Sequence, residues 1–128
     1  METDLNLIQH FKPIKLIGRG GFGVVTKVID MRTNKIRAIK KIKKSVLQKE
    51  KGIDKDREYE ILTKLKHPNI VRLHEYFQDY DHFYHVTDYC EGGELFDYMT
   101  NYGVFSEKLA AEIIRQILSA VVHCHENK

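Results

Sequence analysis

A strand-like pattern of apolar and polar positions begins near Lys15 and runs into Gly18-Arg19-Gly20-Gly21-Phe22-Gly23, and a β-rich run over 24–29 follows at once. Residues 32–35, Arg-Thr-Asn-Lys, read as a turn. Over 36–42 the pattern alternates and places Ile36, Ala38, Lys40 and Ile42 on one strand face. A loop is expected over 45–53, with Gly52 as its breaker. A helix follows from about Asp54, its N-cap, to Leu65, where His67-Pro68 stops it. Two more strands fit 70–77 and 82–89, with Gln78-Asp79-Tyr80-Asp81 turning between them. Three strands, a helix and two strands predict a small antiparallel sheet carrying one helix.

The pattern changes at Glu91-Gly92-Gly93, the one domain boundary the chain suggests. A short helix is predicted over 94–100 and a turn at Asn101-Tyr102-Gly103. Ser106 then caps a long helix whose apolar stripe is Leu109, Ile113, Ile117, Ala120 or Val121, and Cys124. That stripe reads as core packing. No repeat or low-complexity segment interrupts the order.

Composition narrows the classes. The chain has 128 residues, 42% hydrophobic and 30% charged, which excludes a disordered or fibrous chain. No apolar run approaches the ~20 residues of a membrane span. The start, Met1-Glu2-Thr3, has neither the apolar core of a signal peptide nor the glycine that myristoylation requires. The expected setting is cytoplasmic. Cys90 and Cys124 form no CxxC pair and no disulfide framework. A net charge of +3 gives no argument for nucleic acid. The basic cluster Lys40-Lys41-Ile42-Lys43-Lys44 reads as a solvated strand end, Lys40 excepted.

Gly18-x-Gly20-x-x-Gly23 is weak alone, because glycines also serve bulges and tight turns. Its context is more telling. A dinucleotide fingerprint needs a helix to open at the third glycine, and here Gly23 opens a β-branched strand. A Walker loop needs Gly-Lys-Ser/Thr, which the chain lacks. What remains is a glycine hairpin able to lie over phosphates. Lys40 shares its strand face with the small Ala38. Glu58 lies on the apolar stripe of its helix with Ile61, Leu62 and Leu65, where a carboxylate is costly unless paired. A glutamate reaching solvent or a purely stabilising pair would explain these two residues in isolation. With the glycine loop just upstream, a lysine held beside phosphates by a buried glutamate explains more.

These segments together resemble a eukaryotic protein kinase. Gly18-Arg19-Gly20-Gly21-Phe22-Gly23-Val24-Val25 is similar to the glycine-rich loop. Ala38-Ile39-Lys40 is similar to the third-strand Ala-Ile-Lys, with Arg37 in place of the usual valine. Glu58, before His67-Pro68-Asn69-Ile70-Val71, matches the C-helix glutamate, and the run from Val86 through Phe96 matches the linker between lobes. The resemblance covers essentially residues 11–128. Gly92-Gly93-Glu94-Leu95-Phe96-Asp97 and Phe105-Ser106-Glu107 are most similar to the calcium-dependent and calmodulin-dependent Ser/Thr kinases.

The resemblance implies an α+β fold. Residues 1–10 are an N-terminal extension. Residues 11–91 are the ATP-binding N-lobe, a five-stranded antiparallel sheet with the C helix. Residues 92–128 are the hinge end and first two helices of an incomplete C-lobe. It also implies roles. Loop amides, with Ile17, Arg19, Gly21, Phe22 and Val24 in the same segment, cover ATP. Lys40, paired with Glu58, contacts the α and β phosphates. Val25 and Ala38 sandwich the adenine, and Thr87 is the gatekeeper. Asp88, where glutamate is more usual, and Cys90 offer backbone hydrogen bonds to the adenine edge. Glu94 contacts the ribose and, in basophilic kinases, a substrate arginine. Leu62 and Leu73 match the internal apolar spine.

No metal ligand is expected within the chain. His123-Cys124-His125 points its side chains apart on a helix, and Asp79-Tyr80-Asp81 lacks the glycine and distal glutamate of a calcium loop. The family's His-Arg-Asp, with its asparagine, and Asp-Phe-Gly, whose residues hold Mg2+ and accept the substrate proton, do not occur in these 128 residues. The expected reading is the ATP-binding part of a Ser/Thr kinase, catalytically incomplete by itself, with a protein substrate carrying basic residues. The alternative is a noncatalytic nucleotide-binding or interaction module. In either case the 106–126 helix is expected to expose its stripe or bury it in self-association.

Overall fold

The computed structural model describes residues 2–3, 7–20, 23–45 and 55–127, with the backbone alone over 2–3 and 55–59. The expected loop over 45–53, the Asp54 cap and the Gly21-Phe22 turn therefore fall largely outside the described residues. The chain forms two compact units, one of 1–64 with 72–89 and one of 65–71 with 90–128.

The first unit is built on a six-stranded sheet in the order β1-β5-β6-β4-β3-β2. The strands are β1 (Glu2–Thr3), β2 (Phe11–Gly20), β3 (Gly23–Asp30), β4 (Lys35–Lys43), β5 (Leu73–Gln78) and β6 (His82–Asp88). Helix α1 (Lys55–Lys64) sits between β4 and β5 in sequence and packs against β5. Strands β2 to β6 are antiparallel, as the sequence pattern predicts. The N-terminal segment departs from that reading. It adds the parallel strand β1 against β5, with Glu2 opposite Phe77, and a 3-10 turn over Leu7–His10. β2 begins at Phe11, four residues before the strand-like pattern becomes visible, and β5 begins at Leu73 rather than Ile70.

One sheet face carries the core of Phe11, Val28, Ile39, Phe77, Tyr84 and Val86, closed by Leu7. Phe77 stacks on both Phe11, at 6.4 Å between ring centroids, and Tyr84, at 4.9 Å. Arg32, in the β3–β4 turn, lies over the Phe11 ring and bonds Asp30 and Glu75, with 2.6 Å to the Glu75 carboxylate. That fork fastens the turn to β5. In the β5–β6 turn Asp79 accepts from the Asp81 and His82 amides and from the Tyr84 hydroxyl, so its carboxylate serves the turn itself.

The second unit holds α2 (Leu95–Tyr102) and α3 (Glu107–Glu126). α2 ends on Gly103, whose φ of 86° lies in the left-handed region that glycine adopts without penalty. Ser106 caps α3 by accepting from the Leu109 amide, as its position predicts. The segment 65–71 joins this unit through His67, whose Nε2 meets Ser119 Oγ at 3.2 Å and whose ring lies against His123. Along α3 the predicted stripe splits. Leu109, Ile113 and Ala120 are half-buried, whereas Ile117, Val121 and Cys124 are exposed, together with Ile114, Leu118 and Val122. No described helix is long and apolar enough to cross a membrane.

Candidate functional site

Residues directly opposite one another in adjacent strands share a sheet face, so the register assigns each candidate side chain. Gly18 stands opposite Val25, Val25 opposite Lys40, Ala38 opposite Thr87, and Lys40 opposite His85. Gly18, Val25, Ala38, Lys40 and Thr87 therefore lie on one face, opposite the one that carries the Phe11–Phe77–Tyr84 cluster. Arg19 stands opposite Val24, and Arg37 opposite Asp88, on the other face. Ala38 is buried and Lys40 is exposed.

The β2–β3 ladder ends with Gly20 opposite Gly23. The three motif glycines do different things. A Cβ on Gly23 would stand 2.0 Å from the Lys41 carbonyl oxygen, so the fold itself requires glycine there. A Cβ on Gly18 or Gly20 would meet nothing within 4 Å. β2 also carries two register shifts, between Pro13 and Lys15 and between Leu16 and Gly18, which make Ile14 and Ile17 inserted residues. Such bulges bend a strand and increase its twist. Ile17, at the second bulge, is 46% exposed and therefore available as contact surface.

The far end of the site is the end of β6. Thr87 Oγ1 donates to the Asp88 carbonyl at 3.2 Å. The Asp88 carboxylate accepts from the Arg72 amide at 3.0 Å and from His74 Nε2 at 2.6 Å. Burial raises the Asp88 carboxyl, but these hydrogen bonds and the charges of His74 and Arg37 outweigh it and hold the group below the usual carboxylate range. Lys27 places its Nζ 4.6 Å from the centre of the Tyr89 ring, tying β3 to the residue that follows.

Two groups of candidates are not brought into this description. Glu58 lies in α1, but its side chain, and so any pairing with Lys40, is outside the described residues, as are Gly21 and Phe22. Cys90 and Glu94 belong to the second unit and are exposed, Glu94 as the residue before α2 with no side-chain cap bond. Sequence reasoning missed His74. A one-residue bulge in β5 aims it, and an alternation pattern carries no signal for an inserted residue.

Residues 11–128 match the protein kinase domain family. Calcium-dependent protein kinase 5 of Plasmodium falciparum (isolate 3D7) is 41% identical over 123 residues, covering 96% of this chain and 21% of the relative. Calcium-dependent protein kinase 24 of Arabidopsis thaliana is 44% identical over 115 residues, covering 88% of this chain and 20% of the relative. The crystal structure of Rad53 1-466 in complex with AMP-PNP superposes with a TM-score of 0.79 at 38% identity, covering 93% of this chain and 31% of that one. Serine/threonine-protein kinase RAD53 of Saccharomyces cerevisiae is likewise 38% identical over 112 residues, 87% of this chain and 13% of the relative. The chain thus spans about a fifth of the length of the calcium-dependent kinases it matches. With residues 11–128 matching the family model, the chain belongs to the protein kinase family, with Ser/Thr kinases among its relatives.

Proposed function

We propose that residues 11–91 are the ATP-binding lobe of a cytoplasmic Ser/Thr protein kinase and that residues 92–128 begin its second lobe. The parent protein transfers the ATP γ-phosphoryl group to Ser/Thr hydroxyls of a protein substrate carrying basic residues. The observation that carries this reading is the single sheet face holding Gly18, Val25, Ala38, Lys40 and Thr87.

The glycines support it further. Gly23 has a structural explanation, while Gly18 and Gly20 have none in the fold, and close approach to a ligand's phosphates supplies one. In this reading the amides of 18–25 cover the phosphates. Lys40, held by Glu58, contacts the α and β phosphates. Ile17, Val25 and Ala38 take the adenine faces, and Thr87 borders the pocket behind it. The backbone of Asp88 and Cys90 receives the adenine edge, and Glu94 the ribose. Mg2+, if bound with the nucleotide, would neutralise its phosphates. These 128 residues alone bind nucleotide weakly and transfer nothing.

Calorimetry with ATP on the wild-type chain and Lys40→Met tests this. A charged hydrogen-bond donor is worth about 1.5–3 kcal/mol, so Lys40→Met weakens ATP by about ten- to a hundredfold with the melting temperature unchanged. No ATP binding by the wild type, or binding indifferent to Lys40→Met, overturns the reading. Phosphotransfer to a basic peptide that is lost in Lys40→Met overturns the expected incompleteness.

A second reading, self-association through α3, is favoured by Ile114, Ile117, Leu118 and Val122, each more than half exposed on one helix. A monomer by light scattering at high concentration argues against it.

A further inference from the structure

We propose that His74 is a positioning residue for the adenine-binding backbone, holding the end of β6 through its contact with Asp88; this rests on the nucleotide reading above. The bulge is the first observation. Leu73 stands opposite Thr87 and Glu75 opposite Val86, so His74 is the one residue inserted in β5, and the ladder is interrupted at that point. Bulges re-aim side chains, and this one turns the ring onto the carboxylate of the residue after Thr87.

The second observation is how completely Asp88 is held. Its amide donates to the Arg72 carbonyl at 3.1 Å. Its Oδ2 accepts from the Arg72 amide and its Oδ1 from His74 Nε2. A carboxylate has no proton to give, so the ring donates from Nε2. Two carboxylate oxygens and one amide of Asp88 are thus fixed to the start of β5. Thr87 Oγ1 touches the Asp88 carbonyl at 3.2 Å, and a carbonyl has a second lone pair for an adenine amino group.

His74 is the adjustable member of the clasp. The ring is partly exposed, with 21% of its side-chain surface accessible. Its neutral form donates one hydrogen bond to Asp88, and its cationic form adds charge to the same bond. The charged groups around the pair are Arg37, opposite Asp88 on β4, and Arg72, just before β5. Glu75, next along β5, is engaged by Arg32. α1, packed against β5, brings Glu60 and Lys64 among its described side chains. Protonation of His74 therefore tightens the end of β6, and its loss loosens it.

The test uses the full chain and two readouts. In NMR the Asp88 and Tyr89 amide shifts are followed with pH beside the His74 ring resonances, for wild type and His74→Gln, which keeps a donor but cannot take a charge. The amides are expected to move in step with the wild-type ring and to stay flat in His74→Gln. Amides that ignore the ring, or that titrate equally in His74→Gln, overturn the proposal. In calorimetry, ATP affinity is compared between about pH 6 and pH 8. The wild type is expected to lose about two- to fivefold relative to His74→Gln, the range of a partly exposed ion pair. Equal pH dependence in the two proteins overturns the positioning role alone. Absence of ATP binding by the wild type at every pH overturns the nucleotide reading and this proposal's ligand with it.

Discussion

The two faces of one sheet are made from alternate residues of the same strands, yet they are built to opposite ends. On the core face Val28, Ile39, Phe77, Tyr84 and Val86 are buried against one another. On the other face the same strands offer Val25, Ala38, Lys40 and Thr87, a series of small, β-branched and charged side chains with Lys40 exposed. The second face is not bare of packing, since Ala38, Ile42 and Leu73 are buried on it, but it leaves Lys40 exposed. That separation lets a strand carry a functional lysine two residues from a buried alanine, because the neighbouring core residue, Ile39, points the other way.

The contrast is broken most directly at Phe77, 2% exposed and stacked on two rings. Phe77→Ala is expected to lower unfolding stability by about 3–5 kcal/mol in urea titration, whereas Lys40→Met should stay within about 0.5 kcal/mol of wild type. Loss of stability of the same order in both would deny that the faces are separable.

A smaller effect sharpens the comparison inside the glycine motif. Gly23→Ala, which drives a methyl into the Lys41 carbonyl, should destabilise by about 1–3 kcal/mol, and Gly20→Ala, which meets open space, by less than about 0.5 kcal/mol. Thermal melts of the two variants decide it.

Next in size come the limits in pH. Asp30 and Asp79 are both held below the ordinary carboxylate range: burial raises each, and hydrogen bonds, from Arg32 for Asp30 and from Tyr84, His82 and Asp81 for Asp79, outweigh it. A depressed folded value means stability that is present above the unfolded value, near 3.9, and lost as pH falls through the folded one. Acid unfolding should therefore steepen below about pH 4, and Asp30→Asn should remove about 1–2 kcal/mol at neutral pH while flattening that limb.

The smallest effect is at the alkaline end. Burial first, and then Asp79, push the Tyr84 hydroxyl above its ordinary value. A raised folded value gives stability that is complete below the unfolded value, near 10, and is lost above it. Tyr84→Phe should cost about 1 kcal/mol at neutral pH and leave stability flatter above about pH 10, measured by chemical denaturation across that range.

Much of this was legible in the residues. The β-rich run over 24–29, the alternation over 36–42 and the strand fitted at 82–89 match β3, β4 and β6 almost to the residue, the alternation puts Ala38 and Lys40 on one face, and the Ser106 cap is where its sequence places it. What was illegible has physical causes. A two-residue strand such as β1 has no period to detect. Inserted residues such as Ile17 and His74 leave the local composition unchanged while shifting which side chains meet. The three motif glycines look alike in the sequence, and only the approach of the β4 backbone separates Gly23 from the others. On α3, Ile114, Leu118 and Val122 make a second apolar face that a single stripe does not describe.

The bulges of β2 carry one more consequence. β2 is the outermost strand of the sheet on its side, the position from which proteins pair with copies of themselves into ribbons and fibrils. Two inserted residues, a proline that has no amide to donate and lysines at 12 and 15 all sit on that border. Strand β1 occupies the opposite border, against β5. The bulges that bend β2 are also a guard against edge-to-edge aggregation. Straightening β2 by deleting Ile14 would give the chain an adhesive rim.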